Sequence, residues 1–123
     1  MLFARRVFMG AGVFGLLVLI PLYFKEAGPR PEFYYGFAGV GLVWQIAFLL
    51  ISRDPVRYRP FMIVAVLEKV SFGIPTIILY LMGRVDTQML AAALIDLTLG
   101  ALFLTAWMRM KSAVPQTDYD FRA

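Results

Sequence analysis

The chain contains no cysteine and no histidine among its 123 residues. That excludes disulfides, thiolate nucleophiles, bis-histidine haem, histidine general bases and the usual zinc sites. Charge is scarce too, at 16% of residues, where a soluble domain carries roughly 25%. A continuous basic face is also missing. Although the formal net charge is +4, the Lys and Arg residues flank apolar runs instead of lining one polar side, so no nucleic-acid partner is expected. There is no internal repeat, no low-complexity stretch and no metal or cofactor motif, and an enzyme is therefore not the expected reading.

Apolar sequence in long runs fills the space that these absences leave. Hydrophobic residues make up 61% of the chain and the mean hydropathy is +0.76, more apolar surface than a soluble fold of this size could hide. The runs cover 7–24, 33–52, 61–82 and 88–108, each close to the roughly 20 residues that span a hydrocarbon core of about 30 Å. The run 7–24 follows Arg5 and Arg6, as a secretory signal would. Pro21, Leu22, Tyr23, Phe24 and Lys25 lack the small residues of a cleavage site, so the segment is expected to be retained as a helix.

Punctuation between the runs is consistent with helices. Gly28, Pro29 and Pro31 break the first connection, and Pro60 suits the first turn of the third helix, where its missing N–H costs nothing. Gly83 suits the left-handed residue that closes that helix, and Asp86 or Thr87 can cap the fourth. Connections this short make neighbouring helices antiparallel. The expected fold is all-α, a polytopic membrane protein built as an antiparallel four-helix bundle over 1–111, with a flexible cytoplasmic tail over 112–123.

Lys and Arg distribution sets the expected orientation. Arg5, Arg6, Arg53, Arg57, Arg59, Arg109, Lys111 and Arg122 fall on one side, with Lys25, Arg30 and Arg84 on the other. Both termini and the central loop are expected in the cytoplasm of a multi-pass cell-membrane protein. Arg53, Arg57 and Arg59 are candidates for anionic lipid headgroups, at about 1 kcal/mol per charge. Five of the six tyrosines and Trp107 fall near helix ends, as interfacial aromatics do, and Trp44 is the exception, deep in the second helix.

A few polar residues fall inside the spans. Glu68 and Lys69 lie within the third helix and Asp96 within the fourth, where each charge opposes insertion by roughly 2.5–3.5 kcal/mol. Neighbours on a helix point about 100° apart, so Glu68 and Lys69 are expected to seek partners on other helices. By depth, Gln45 lies level with both and can complete a hydrogen-bonded layer. Asp96 falls further out, and Lys69, directed by default toward its helix N-terminus, is not expected to reach it. Lys69, Gly73, Thr76 and Tyr80 make one polar stripe, and Pro75 is expected to loosen the helix beside it. Gln45, Glu68, Lys69, Asp96, Thr76 and Tyr80 are thus the candidate site.

Two uses of that site compete. In the first, the groups neutralise one another and fix the packing of a non-enzymatic accessory or scaffold bundle. In the second, Glu68 serves a small hydrophobic or cationic ligand or a proton-linked transport. A redox-enzyme subunit or membrane enzyme is third. Partners beyond the bilayer, a second copy or another membrane protein, stay open.

The loop Asp54-Pro55-Val56-Arg57-Tyr58-Arg59-Pro60 leading into an apolar helix, with the Glu68-Lys69 step inside it, resembles the DoxX-like group of small bacterial membrane proteins. The resemblance implies a four-helix bundle in a bacterial inner membrane and, as is attributed to some members, association with quinone-linked redox enzymes. It carries over no catalytic residue.

Overall fold

The structure, a computed structural model, describes residues 1–113, with side chains to Met110. The expectation of a flexible tail falls, from residue 114 on, outside the described residues. Four helices follow one another: α1 (Leu2–Leu19), α2 (Pro31–Arg53), α3 (Arg59–Leu81) and α4 (Thr87–Ala113), with a 3-10 turn over Ile20–Phe24 extending α1. No strand interrupts them among the described residues.

Proline and glycine set the boundaries. Pro31 opens α2 and Pro60 lies in the first turn of α3, while Pro75 sits inside α3 without ending it. Pro21 stands where α1 tightens to 3-10 geometry, a place where its missing N–H is tolerated. Gly83 takes a positive φ of 74°. Its N–H bonds the Tyr80 carbonyl and the Arg84 N–H bonds that of Leu79, the paired closure that a left-handed glycine permits. The Asp86 carboxylate accepts from the Met89 N–H at 3.0 Å and caps α4.

Two expected ends shift. α1 begins at Leu2 rather than at residue 7, because Arg5 and Arg6 are good helix formers that stay exposed in its first turns. α4 runs on to Ala113, past the expected end at Met108.

The helices form two antiparallel pairs, α1 along α2 and α3 along α4, joined mainly where α1 meets α4. The α2–α3 seam is the loosest. One end of the bundle carries the starts of α1 and α3 and the ends of α2 and α4, and we call it the basic end. There Phe8 stacks on Phe103 at 4.2 Å between ring centroids, and Phe48 meets Phe103 edge-on at 4.9 Å. Ala4, Ala11, Ala65 and Ala106 give these rings room, and Met62 and Met110 fill the rest. Arg59 donates to the Trp107 carbonyl at 3.1 and 3.2 Å and lies over its ring, tying the start of α3 to the end of α4.

Outward-facing positions are apolar, among them Leu17, Val40 and Leu67, each at least 60% exposed. All four helices are long and apolar enough to cross a membrane. The chain is a multi-pass membrane protein, and that greasy exterior is its contact with the bilayer. Because lipid is as apolar as leucine, close packing and polar contacts, rather than escape from water, hold such helices together.

Candidate functional site

Midway along the bundle the aromatic core gives way to polar residues at the centre. On α3, Lys69 and Gly73 stand one turn apart and face Gly100, Leu97 and Asp96 of α4. A methyl at Gly100 would come within 3.1 Å of the Lys69 Cβ, and one at Gly73 would collide with Leu97. Small residues at these two points let α3 and α4 approach closely enough for the Lys69 stem to lie between them.

From there the Lys69 ammonium donates to Asp96 Oδ1 at 3.3 Å and lies 3.7 Å from Glu68 Oε1. It also sits 5.1 Å from the centre of the Phe48 ring, within reach of a cation–π attraction. Lys69 is only 4% exposed. Two expectations are corrected here. Lys69 does reach Asp96, because antiparallel α4 sets Asp96 one turn outward from Gly100, and leaving a buried ammonium unpaired costs several kcal/mol against about 1 kcal/mol for a less favoured side-chain direction. Glu68 does meet its neighbour, since a four-carbon lysine stem spans the 100° between adjacent positions.

Gln45 departs from expectation differently. Its Nε2 donates to the Gly41 carbonyl of its own helix at 2.9 Å, so it does not bond to Glu68 or Lys69 and the expected hydrogen-bonded layer is not formed. The side chain lies in the space left by Gly15 of α1, where any Cβ would overlap it. Gln45 is 3% exposed. Its Oε1 and Glu68 Oε1 are both buried without a hydrogen-bond donor among the described residues.

These groups are gathered around a cavity of about 250 Å³ that takes residues from all four helices. Gln45, Glu68, Lys69 and Asp96 line it together, with Phe72 and Phe37 as apolar wall. Leu22, Gln88 and Met89 line it at the end away from the basic end. Beside it, along the loose α2–α3 seam, runs a groove of about 330 Å³ lined by Gly36, Val40, Trp44 and Ser71, together with Phe37, Gly41, Glu68 and Phe72. The last four line both spaces.

Four of the six candidate residues are therefore brought to one cavity. Thr76 is buried and Tyr80 half-buried further along α3, and neither is among the cavity's lining residues. Gln88 is not among the residues the sequence singles out, whereas Gly15 reads there as a small residue suited to close helix approach, as it proves to be. Gln88 looks like an ordinary first-turn polar residue, and Gly15 matters only through Gln45, a contact between helices that no local pattern reveals. Of the basic candidates, Arg53 is exposed, Arg57 is exposed and lies 5.7 Å from the Tyr58 ring, and Arg59 is held by Trp107. Compared with family models, curated proteins and solved structures, the chain finds no match in any of the three.

Proposed function

We propose that this membrane protein is a non-enzymatic binding protein for a small hydrophobic ligand with a cationic, hydrogen-bond-donating group, and that Glu68 is its acidic contact. One observation carries the reading: a chamber at membrane depth is lined by Gln45 and Glu68, whose Oε1 atoms are buried without a hydrogen bond among the described residues, Glu68 having only the Lys69 ammonium at 3.7 Å. Buried acceptors are costly to leave unmet. The ion cluster leans the same way, since with all three groups ionised the carboxylates of Glu68 and Asp96 outnumber the Lys69 ammonium two to one. A donor carrying positive charge meets both needs.

An alternative is the accessory or scaffold bundle, in which the polar groups only fix packing. The Lys69–Asp96 pair supports it, being the shorter contact and bridging two helices. Glu68 supports it less, because it lines the cavity and its Oε1 takes no hydrogen bond among the described residues. For orientation, the excess of Arg at the basic end supports a cytoplasmic placement of that end in a cell membrane. Helix count and the loop 54–60 support a DoxX-like affiliation.

The test is thermal unfolding of the full chain in a neutral detergent with hexylamine as probe. Stabilisation that rises with amine concentration, is absent with hexanol and disappears in Glu68→Gln is the expected result. Equal shifts for amine and alcohol, or an undiminished shift in Glu68→Gln, would overturn it.

A further inference from the structure

The cavity has a side door. Its wall toward the α2–α3 seam consists of Phe37, Gly41, Glu68 and Phe72, and each of these also lines the outer groove. The two phenylalanine rings stand 5.7 Å apart across the seam, one from each helix. Beyond them the groove is lined by Gly36, Val40 and Trp44, with Ser71 donating its hydroxyl back to the Glu68 carbonyl. Gly36 and Val40 at its lip are exposed, and a methyl added at Gly36 would meet nothing within 4 Å. Trp44, oddly deep for an interfacial aromatic, is a wall of this groove, packed against Phe48 and Phe61.

We infer that cavity and groove form one site for a single-chain amphiphile with a primary amine head, the head at Glu68 and the alkyl tail laid along Trp44 and Val40 into the surrounding lipid. This rests on the binding reading above and extends it by naming the ligand class and its route, from the bilayer through the seam. Charge complementarity selects the head: two carboxylates share the single Lys69 ammonium, which stands nearer Asp96 at 3.3 Å than Glu68 at 3.7 Å, and the Glu68 side chain keeps 17% of its surface exposed. Geometry selects the tail. Glu68 is the charged group shared by both spaces, so a head held there has an apolar exit beside it and needs no passage past Gln88 and Met89 at the end of the bundle.

The experiment uses the full chain with Trp107→Phe in phosphatidylcholine nanodiscs, so that Trp44 is the sole tryptophan. Undecylamine carrying a terminal bromine is the quencher, with the corresponding bromoalkanol as control, both compared at equal mole fraction in the bilayer. Saturable quenching of Trp44 by the amine is expected at about ten-fold lower mole fraction than by the alcohol, the difference that a hydrogen bond to a charged group provides. Glu68→Gln should remove that difference, and Gly36→Phe or Val40→Trp, scored by displacement of hexylamine, should reduce the long-chain amine to the affinity of hexylamine.

Outcomes separate the two claims. If hexylamine stabilises the protein through Glu68 but the long-chain amine binds no better and leaves Trp44 bright, the cavity reading stands and the groove inference is overturned. Should neither amine act, both fall together. If the protein is a dimer in nanodiscs with Trp44 shielded from amine and alcohol alike, the seam belongs to a second copy and the inference is again overturned.

Discussion

The two halves of the bundle use the same four helices in opposite ways. At the basic end, Phe8, Phe48 and Phe103 meet at the centre with alanines making room around them. One to two turns further on, the positions that would continue this packing are Gln45, Lys69 and Asp96, with Gly15 and Gly41 nearby, and the centre is a cavity. Phe48 belongs to both halves, packed in the aromatic cluster while facing the Lys69 ammonium. In lipid no hydrophobic force closes such a space, so polar residues can hold it open while the aromatic half supplies the fit that sets the helices' positions.

The largest break in that comparison comes from the ion cluster. Lys69→Met removes the cation from between Asp96 and Glu68 and strands two carboxylates, a loss of about 3–5 kcal/mol for a buried pair broken from one side. Folded yield in detergent should fall sharply. Adding Asp96→Leu should restore much of it, because a greasy pair of similar volume replaces the bridge between α3 and α4. Pairing Lys69→Met with Glu68→Gln should rescue less, since Asp96, the nearer partner at 3.3 Å, is left alone. Equal rescue by the two doubles would remove the distinction between a structural Asp96 and a ligand-facing Glu68.

A middle-sized effect separates the halves by packing. Phe103→Ala empties about 100 Å³ of a filled core and should cost about 2 kcal/mol by the cavity term alone. Phe37→Ala, whose ring is exposed at the seam beside existing space, should cost well under 1 kcal/mol by the same reasoning. Chemical or thermal unfolding of both variants in one detergent makes the comparison. Comparable losses would mean that the polar half is as tightly fitted as the aromatic half.

Sequence made the helices legible because length, hydropathy and helix punctuation all pointed the same way. Pro31, Pro60 and Gly83 stand where a chain in lipid needs them. Depth was legible too, and it brought Gln45, Glu68 and Lys69 to one level. Hidden from it was the direction of each side chain across helix gaps. The reach of Lys69 to Asp96 depends on Gly100 admitting its stem, and the seclusion of Gln45 depends on Gly15 of another helix. A 3.6-residue period lays a polar stripe along α3, but it does not say which part of the stripe the cavity meets. For that reason Thr76 and Tyr80 share a stripe with Lys69 without sharing its cavity.

The smallest expected effects mark where the polar half ends. Tyr80 lies eleven residues beyond Lys69, roughly 16 Å along the helix axis, and is half-buried. Thr76, though buried, lies beyond the Gly73–Leu97 contact that closes α3 on α4. Tyr80→Phe and Thr76→Val each remove a single hydroxyl, so each should change stability by about 1 kcal/mol or less. Both should also leave the hexylamine-induced shift in unfolding temperature at its wild-type size. A shift lost in either variant would add the outer half of α3 to the ligand's contacts, so that Lys69, Gly73, Thr76 and Tyr80 line the chamber alongside Ala92, Met89 and Gln88.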